Sequence, residues 1–326
     1  MALVFDMSCF DIAHHVDSGI YLMKQNRFEE AITEFNYVLS LDPRERWARY
    51  NRMTSRLSLG DYSALAEHDC AWEIYDWGKP GSSGPSPVDQ GDLEQLSVWC
   101  GEPCKLLVWH NMGFGDAIMA LRFLPELVGR CESVTLVVRP ELIRLFQGYG
   151  VRVVSSVPSI SDFDACTTLF NLIFALGHSL GTIPRDPYIK TDFKFTGSKM
   201  GIAWSGNSRV EFNLHTFLSR LDVRGFELYA LQKGPVTDQV VSLECSDFSG
   251  TAELMATMDC IVTVDTATAH LAGAMGHPNT HLVLPYLRDW RWWQKDVWYP
   301  TLNDYPQATP DDWDTPFQRL NEAIHQ

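Results

Sequence analysis

The chain has 326 residues, more than one compact domain usually holds. Hydrophobic residues make up 45% and charged residues 21%, the balance of an ordinary globular protein rather than a disordered or fibrous one. A formal net charge of −15 argues against nucleic acid and against an anionic membrane surface as partners, because both need a cationic face.

The opening stretch, MALVFDMSCFDIAHH, carries early aspartates and no basic leader, so no secretory signal is expected. Residues 11–77 have helical periodicity: DIAHHVDSGIYLMKQ, then FEEAITEFNYVLSLDP closed by Pro43, then RERWARYNRMTSRLSLG ending at Gly60, then DYSALAEHDCAWEIYDW. NRFEEA aligns with GDYSAL, which places Phe28 over Tyr62 at a displacement of 34 residues. That is the tetratricopeptide period, with one helix pair per repeat. Residues 1–77 are therefore read as a short helical-repeat domain, either a protein-binding module or a cap packed on the next domain. The segment GKPGSSGPSPVDQGD is rich in Gly, Ser and Pro, and residues 78–99 read as a linker or long loop.

From Lys105 the chain alternates strand and helix. KLLVWH, SVTLVV, VRVVSS and FDACTTL are strands, with helices after GFGD and over RPELIRLFQGYG. A second run begins at Met200, with strands GIAWSG, FELYALQ, CIVTVD and THLVLP and helices near LHTFLSRL, TAELMATM and ATAHLAGAMG. This rhythm implies two parallel-sheet α/β domains, 100–197 and 198–326, with a cleft between them. The most apolar stretch, LFNLIFALGHSLGTI, is broken by Asn171, His178 and two glycines, and is not expected to span a membrane. Eight cysteines are scattered at positions 9, 70, 100, 104, 131, 166, 245 and 260. No second pair completes a zinc site with CGEPC, so free thiols in a reducing cytoplasm are expected.

Four constellations fall at strand ends, where ligands of open α/β sheets sit. In WHNMGFGDAIM, Gly113 and Gly115 allow close backbone approach, and Asp116 either caps the following helix or serves as a base in the cleft. In VDTATAHLAGAMG, Asp265 ends a buried strand, and the residues from Thr266 through Ala267 and Thr268 to His270 open a helix whose N–H groups and hydroxyls suit a diphosphate. Taken alone, His270 reads more readily as a buried, satisfied histidine. WSGN, with Ser205 and Asn207, and LQKGP, with Gln232 and Lys233, are strand-end turns, and Lys233 offers a point charge to a phosphate. In RDWRWWQKDVWYPT the tryptophans read mostly as packing, with Arg288 and Arg291 in reach of a phosphate. The spacings DFD (162–164) and DWD (312–314) are not read as metal sites, because no further ligand cluster accompanies them.

In order, the segments VWHNMGFGDAIMALRFLP, FDACTTLFNLIFALGHSLGTIP, GIAWSGN, LQKGP, SGTAELMATMDCIVTVDTATAHLAGAMGHP, DWRWW and WYPT resemble bacterial tetratricopeptide-linked glycosyltransferases. These are relatives of the ADP-heptose:lipopolysaccharide heptosyltransferases of glycosyltransferase family 9. The resemblance covers about residues 100–326. It implies a GT-B fold of two Rossmann-like domains behind a short all-α repeat domain. It implies inverting, metal-independent transfer from a nucleotide-diphosphate sugar to an acceptor hydroxyl of a glycan, protein or small molecule, with no cofactor. Asp116 is then the general base, kept ionised by the helix N-terminus. Gly113, Gly115, Ser205, Asn207, Arg209, Lys233, Asp265, Thr266, Ala267, Thr268 and His270 hold the donor, and Gln232, Trp290 and Arg291 contact its sugar or nucleotide. The chain departs from the pattern after WSGN. There Arg209 is the only Lys or Arg of SRVEFNLHTF, and Glu211 and Asn213 stand where cations are expected. Before the glycine loop, His110-Asn111-Met112 replaces Glu-Gln. These departures motivate the alternative of a glycosyltransferase-like binding module, impaired in catalysis, that acts through its helical repeats.

Overall fold

The computed structural model describes residues 7–64, 96–110, 112–157, 159–206 and 212–325, with side chains from residue 11 onward. The chain divides into two compact units. One is Met1–Pro85 with Gly177–Ile183 and Leu287–Gln294; the other is Ser86–Leu176, Pro184–Tyr286 and Lys295–Gln326.

The first unit is helical. Helices α1 (Met7–Lys24), α2 (Phe28–Leu41) and α3 (Arg46–Ser58) follow the predicted segments. Phe28, Ala31, Phe35 and Val38 recur at three- and four-residue spacing and form the buried stripe of α2. Gly19 of α1 faces Phe35, and a Cβ there would lie 2.4 Å from the ring, so the missing side chain sets how closely α1 and α2 approach. The Glu45 carboxylate caps α3 by accepting from the Ala48 N–H. The predicted fourth helix is described only over 62–64, as a 3-10 turn, and its remainder lies outside the described residues. The tryptophan-rich segment belongs to this unit. On α11 (Trp290–Trp293), Trp293 meets Phe28 edge-on at 5.5 Å and Trp290 meets Tyr62 edge-on at 5.7 Å. Phe28 and Tyr62 thus each meet a tryptophan of α11 edge-on.

The second unit holds two parallel sheets. The first has order β1-β5-β2-β3-β4, from β1 (Ser97–Val98), β2 (Lys105–Trp109), β3 (Ser133–Val137), β4 (Arg152–Val154) and β5 (Ala165–Thr168). Helices α4 (Phe114–Ala120) and α5 (Leu124–Arg130) lead from β2 to β3, and α7 (Leu172–Ala175) comes after β5. Strand β1 falls inside the stretch read as linker. Its residues lie beyond the Gly/Ser/Pro-rich composition and pair in parallel with Ala165 and Cys166. The predicted helix over 139–150 is shorter than expected: a 3-10 turn at Pro140–Leu142 followed by α6 (Ile143–Phe146), with Gly148 and Gly150 both at positive φ beyond it.

The second sheet has order β11-β10-β9-β6-β7-β8, from β6 (Lys199–Ala203), β7 (Glu227–Ala230), β8 (Val240–Ser242), β9 (Cys260–Val264), β10 (Thr280–Leu284) and β11 (Leu302–Pro306). Helices α8 (Leu214–Leu218), α9 (Phe248–Met255) and α10 (Ala267–Met275) connect its strands. Read from its first strand, this is the doubly wound order 3-2-1-4-5-6, whose direction reverses between β6 and β9. All five residues of β9 and of β10 are buried, as strands covered on both faces require. Strands β8 and β11, at the two edges, were not anticipated. Among the described residues no helix is long and apolar enough to cross a membrane, and the six described cysteines are free. One carboxylate of each of DFD and DWD serves the backbone, Asp164 accepting from the Lys105 N–H at 2.8 Å and Asp312 from the Thr315 N–H at 3.2 Å, while Asp314 pairs with Arg220.

Candidate functional site

The reversal between β6 and β9 brings three loops together. After β6 come Trp204, Ser205 and Gly206; after β7 come Leu231, Gln232 and Lys233; after β9 come Asp265 and Thr266. Gln232 uses one oxygen, Oε1, to accept from the N–H groups of Trp204 and Ser205 at 2.7 and 3.0 Å. Gly206 touches the Asp265 backbone so closely that a Cβ would lie 2.3 Å from its carbonyl oxygen. Thr266 is the N-cap of α10, its hydroxyl accepting from the Thr268 N–H at 3.1 Å, and the Thr268 hydroxyl donates to the Leu231 carbonyl at 3.3 Å. Asp265 is 6% exposed.

Over these loops opens a cavity of about 650 Å³. Ser205, Gln232, Lys233, Thr266, Ala267 and Thr268 line it, so six of the predicted donor-site residues share one wall. Lys233 is exposed there and makes no ion pair among the described residues. Residues 242–248 form a second wall, and Phe114 and Glu141 reach in from the first sheet. The size is that of a small-molecule site. Helix N-terminal N–H groups, a hydroxyl and a free ammonium together suit an anion.

The glycine loop lies at the carboxyl end of β2 and leads into α4. Asp116 accepts from the Gly113 N–H at 2.9 Å, the reciprocal bond of a capping box. The capping reading of Asp116 is therefore realised in the ground state, through one carboxylate oxygen. Gly115 is pressed against the second sheet's helix: a Cβ there would lie 2.4 Å from the His270 ring. The close approach expected of this glycine is to a side chain. His270 is 5% exposed, and its Nδ1 bonds the Tyr299 hydroxyl at 2.9 Å, the satisfied arrangement that a histidine on an apolar helix favours. Asp116, Gly113, Gly115 and His270 thus form a cluster joining the two halves outside the lining of the cavity, and Phe114 links that cluster to it.

Phe114 packs on Phe248 at 4.9 Å and under the Arg139 guanidinium at 4.8 Å. Beside it, Arg144 of α6 grips Asp247 through two bonds of 3.0 and 2.9 Å and reaches Glu253 at 3.0 Å. Asp247 is the N-cap of α9, and the Arg144 guanidinium beside it holds its carboxyl below the usual range. Ahead of the loop, His110 is 3% exposed, and burial pushes its imidazole down to about 4. His110 Nε2 donates to the Gly113 carbonyl at 3.1 Å.

Trp290 and Arg291 are brought elsewhere. Both are buried in the helical unit, with Arg291 stacked on Trp290 at 4.4 Å and bound to Asp289 at 2.7 Å. Asn207 and Arg209 lie outside the described residues. Sequence reasoning missed Phe114, the Asp247–Phe248 corner, and Tyr299. The first stood between the two quoted glycines; the second carried an Asp N-cap signal just ahead of a predicted helix. Among the described residues no group of three or more His, Cys, Asp or Glu is placed to hold a metal ion.

What fold and site define is a mixed α/β protein with two parallel sheets and an anion-suited cavity at the reversal of the second. No family model and no curated protein matches the chain. Among solved structures it is similar to the dodecameric iron-containing heptosyltransferase TibC in complex with ADP-D-β-D-heptose, at 13% identity and a TM-score of 0.46 over 67% of this chain and 66% of that one. It is also similar to the iron-containing dodecameric glycosyltransferase TibC from enterotoxigenic E. coli, at 10% identity and a TM-score of 0.46 over 68% and 67% of the two chains. The chain thus spans about two thirds of the length of these structures. Likeness at this level leaves the reading of the site to its own geometry.

Proposed function

We propose that the protein is a glycosyltransferase of GT-B type that moves a sugar from a nucleotide-diphosphate donor to an acceptor hydroxyl with inversion. The observation that carries this reading is the shared wall of Ser205, Gln232, Lys233, Thr266, Ala267 and Thr268 at the reversal of a 3-2-1-4-5-6 sheet. The diphosphate lies at the N-terminus of α10, with Lys233 supplying positive charge. These groups stabilise the leaving diphosphate without requiring a metal. Asp116, released from the Gly113 N–H when substrates close on the loop, takes the proton of the attacking hydroxyl. The helical repeats, closed by α11, offer a protein- or acceptor-docking surface.

The test is release of nucleoside diphosphate from a panel of ADP-, UDP-, GDP- and dTDP-sugars, in magnesium and in chelator, with wild type and Asp116→Ala. One donor class should turn over in both buffers, and Asp116→Ala should lose transfer while keeping donor binding. Full activity in Asp116→Ala would remove the base assignment. A chain that binds nucleotide tightly and turns over no donor would favour the binding-module reading instead.

A further inference from the structure

The turn between α2 and α3 carries a cationic and apolar surface that the proposed reaction leaves unused. Its backbone is fixed. The Asp42 carboxylate accepts from the Arg44 N–H at 2.9 Å, the Asp42 carbonyl accepts from the Glu45 N–H at 3.1 Å, and the Glu45 carboxylate caps α3. Both carboxylates of the turn are thus bound to backbone N–H groups. Around them Leu41 and Trp47 are 46% and 45% exposed, and Arg44 and Arg46 are exposed as well. Arg49, half-buried, follows Arg46 at i,i+3 on the same side of α3.

The charge here runs against the composition of the chain. Residues 44–56 hold five of the 26 lysines and arginines and one acidic residue, in a chain of net charge −15. Two of the five are engaged within the helical unit: Arg52 donates to Asn36 Oδ1 at 2.8 Å, and Arg56 pairs with Asp61 at 2.7 Å. Arg46 stacks over the Trp47 ring at 5.4 Å, and Arg44, Arg46 and Arg49 make no ion pair among the described residues. Cations in the first turn of a helix oppose its dipole, and like charges at i,i+3 repel. Local stability therefore does not select these arginines.

Resting on the reading of the helical unit as a docking module, we propose that Leu41, Arg44, Arg46, Trp47 and Arg49 form a docking surface for an acidic protein segment. Its Asp and Glu side chains meet the three guanidinium groups, and an apolar side chain lies on Leu41 and Trp47. Carboxylates are the anions whose fork matches a guanidinium, and Trp and Arg are the side chains that most often anchor a protein interface. A short acidic segment brings few charges into the field of a strongly anionic chain, whereas a long polyanion such as nucleic acid is repelled by it.

The test is fluorescence anisotropy of the full chain with a short fluorescein-labelled peptide of Asp and Glu around one Phe. Its Asn/Gln counterpart and an oligothymidylate of equal charge are run beside it. The acidic peptide should bind, and its affinity should fall as salt is added. Arg46→Ala with Arg49→Ala, and separately Trp47→Ala, should each weaken it about tenfold, in samples whose thermal unfolding shows a folded chain. Arg130→Ala, which removes an arginine paired with Glu126 outside the helical unit, should bind as wild type does. No binding, equal binding of the Asn/Gln peptide, equal or tighter binding of oligothymidylate, or affinity unchanged in the turn variants overturns the proposal. The last result would leave docking through another face of the helical unit standing. Because the assay contains no nucleotide, its failure is distinct from failure of the donor-site reading.

Discussion

Gln232 satisfies two backbone N–H groups with one oxygen, so its amide shapes the turn after β6 rather than simply waiting for a ligand. Gln232→Ala leaves both donors unpaired and should cost about 2 kcal/mol in chemical denaturation, whereas Gln232→Glu keeps the acceptor and most of the stability. Equal losses in the two variants would contradict that role. Gly206 is a sharper case. Its neighbour is a backbone oxygen, which cannot swing aside, so Gly206→Ala should lower stability by about 2 kcal/mol or more. Gly129, with nothing within 4 Å, should accept Ala without loss. His110 and His281 are both held near 4 by burial, below their unfolded value. Between pH 4 and 6.5 the unfolded chain therefore binds more protons, and stability should fall as pH drops through that window, by roughly 3 kcal/mol for each histidine. His281→Gln should flatten part of the slope in denaturant midpoints measured from pH 7 to 4. At this scale the sequence supplied residue types and spacing but not partners. Asp116 reads equally as cap or base in GFGD, and only the Gly113 N–H shows that it caps at rest. Trp290 and Arg291 read as ligand contacts until their neighbours, Tyr62 and Asp289, are known.

Elements were more legible than partners. The eight anticipated strands are present, because continuous apolar runs such as CIVTV and THLVL admit few other placements. The edge strands β8 and β11 escaped notice. VVS is too short to show a pattern, and LNDYP carries a proline tolerated only at an edge, where β11 lies. Helix α10 is set by its ends, with Thr266 as N-cap and Gly276 in the left-handed region at φ 69°. Thr266→Ala should cost about 1 kcal/mol and weaken phosphate binding, while Thr266→Ser should recover both; calorimetry on the two variants checks this. Helix α11 is one turn long and cannot be stable by itself. Its hold on the helical unit comes from buried aromatic area, so Trp290→Ala should destabilise that unit by about 3–5 kcal/mol. Limited proteolysis should then cut within residues 7–58 well before the sheets, and unchanged resistance would count against this packing.

At the scale of the molecule, chain order and spatial order part company. Composition reads as a division at a linker, yet residues 177–183 and 287–294 from the α/β region cluster with the helices. Composition marks boundaries along the chain and is blind to a segment that crosses back. The net charge of −15 argues against polyanionic partners at large and leaves room for a local anion site at an exposed lysine and a helix start. Whether that cavity takes a nucleoside diphosphate is the central question, and titration calorimetry answers it most directly. ADP, UDP, GDP, CMP and dTDP would be titrated into wild type, Lys233→Ala and Thr266→Val, with and without magnesium. The account predicts one nucleoside diphosphate that binds without magnesium, and that Lys233→Ala weakens it about tenfold, the worth of one charge-assisted contact. No binding at millimolar concentration, or binding that neither substitution changes, would contradict it.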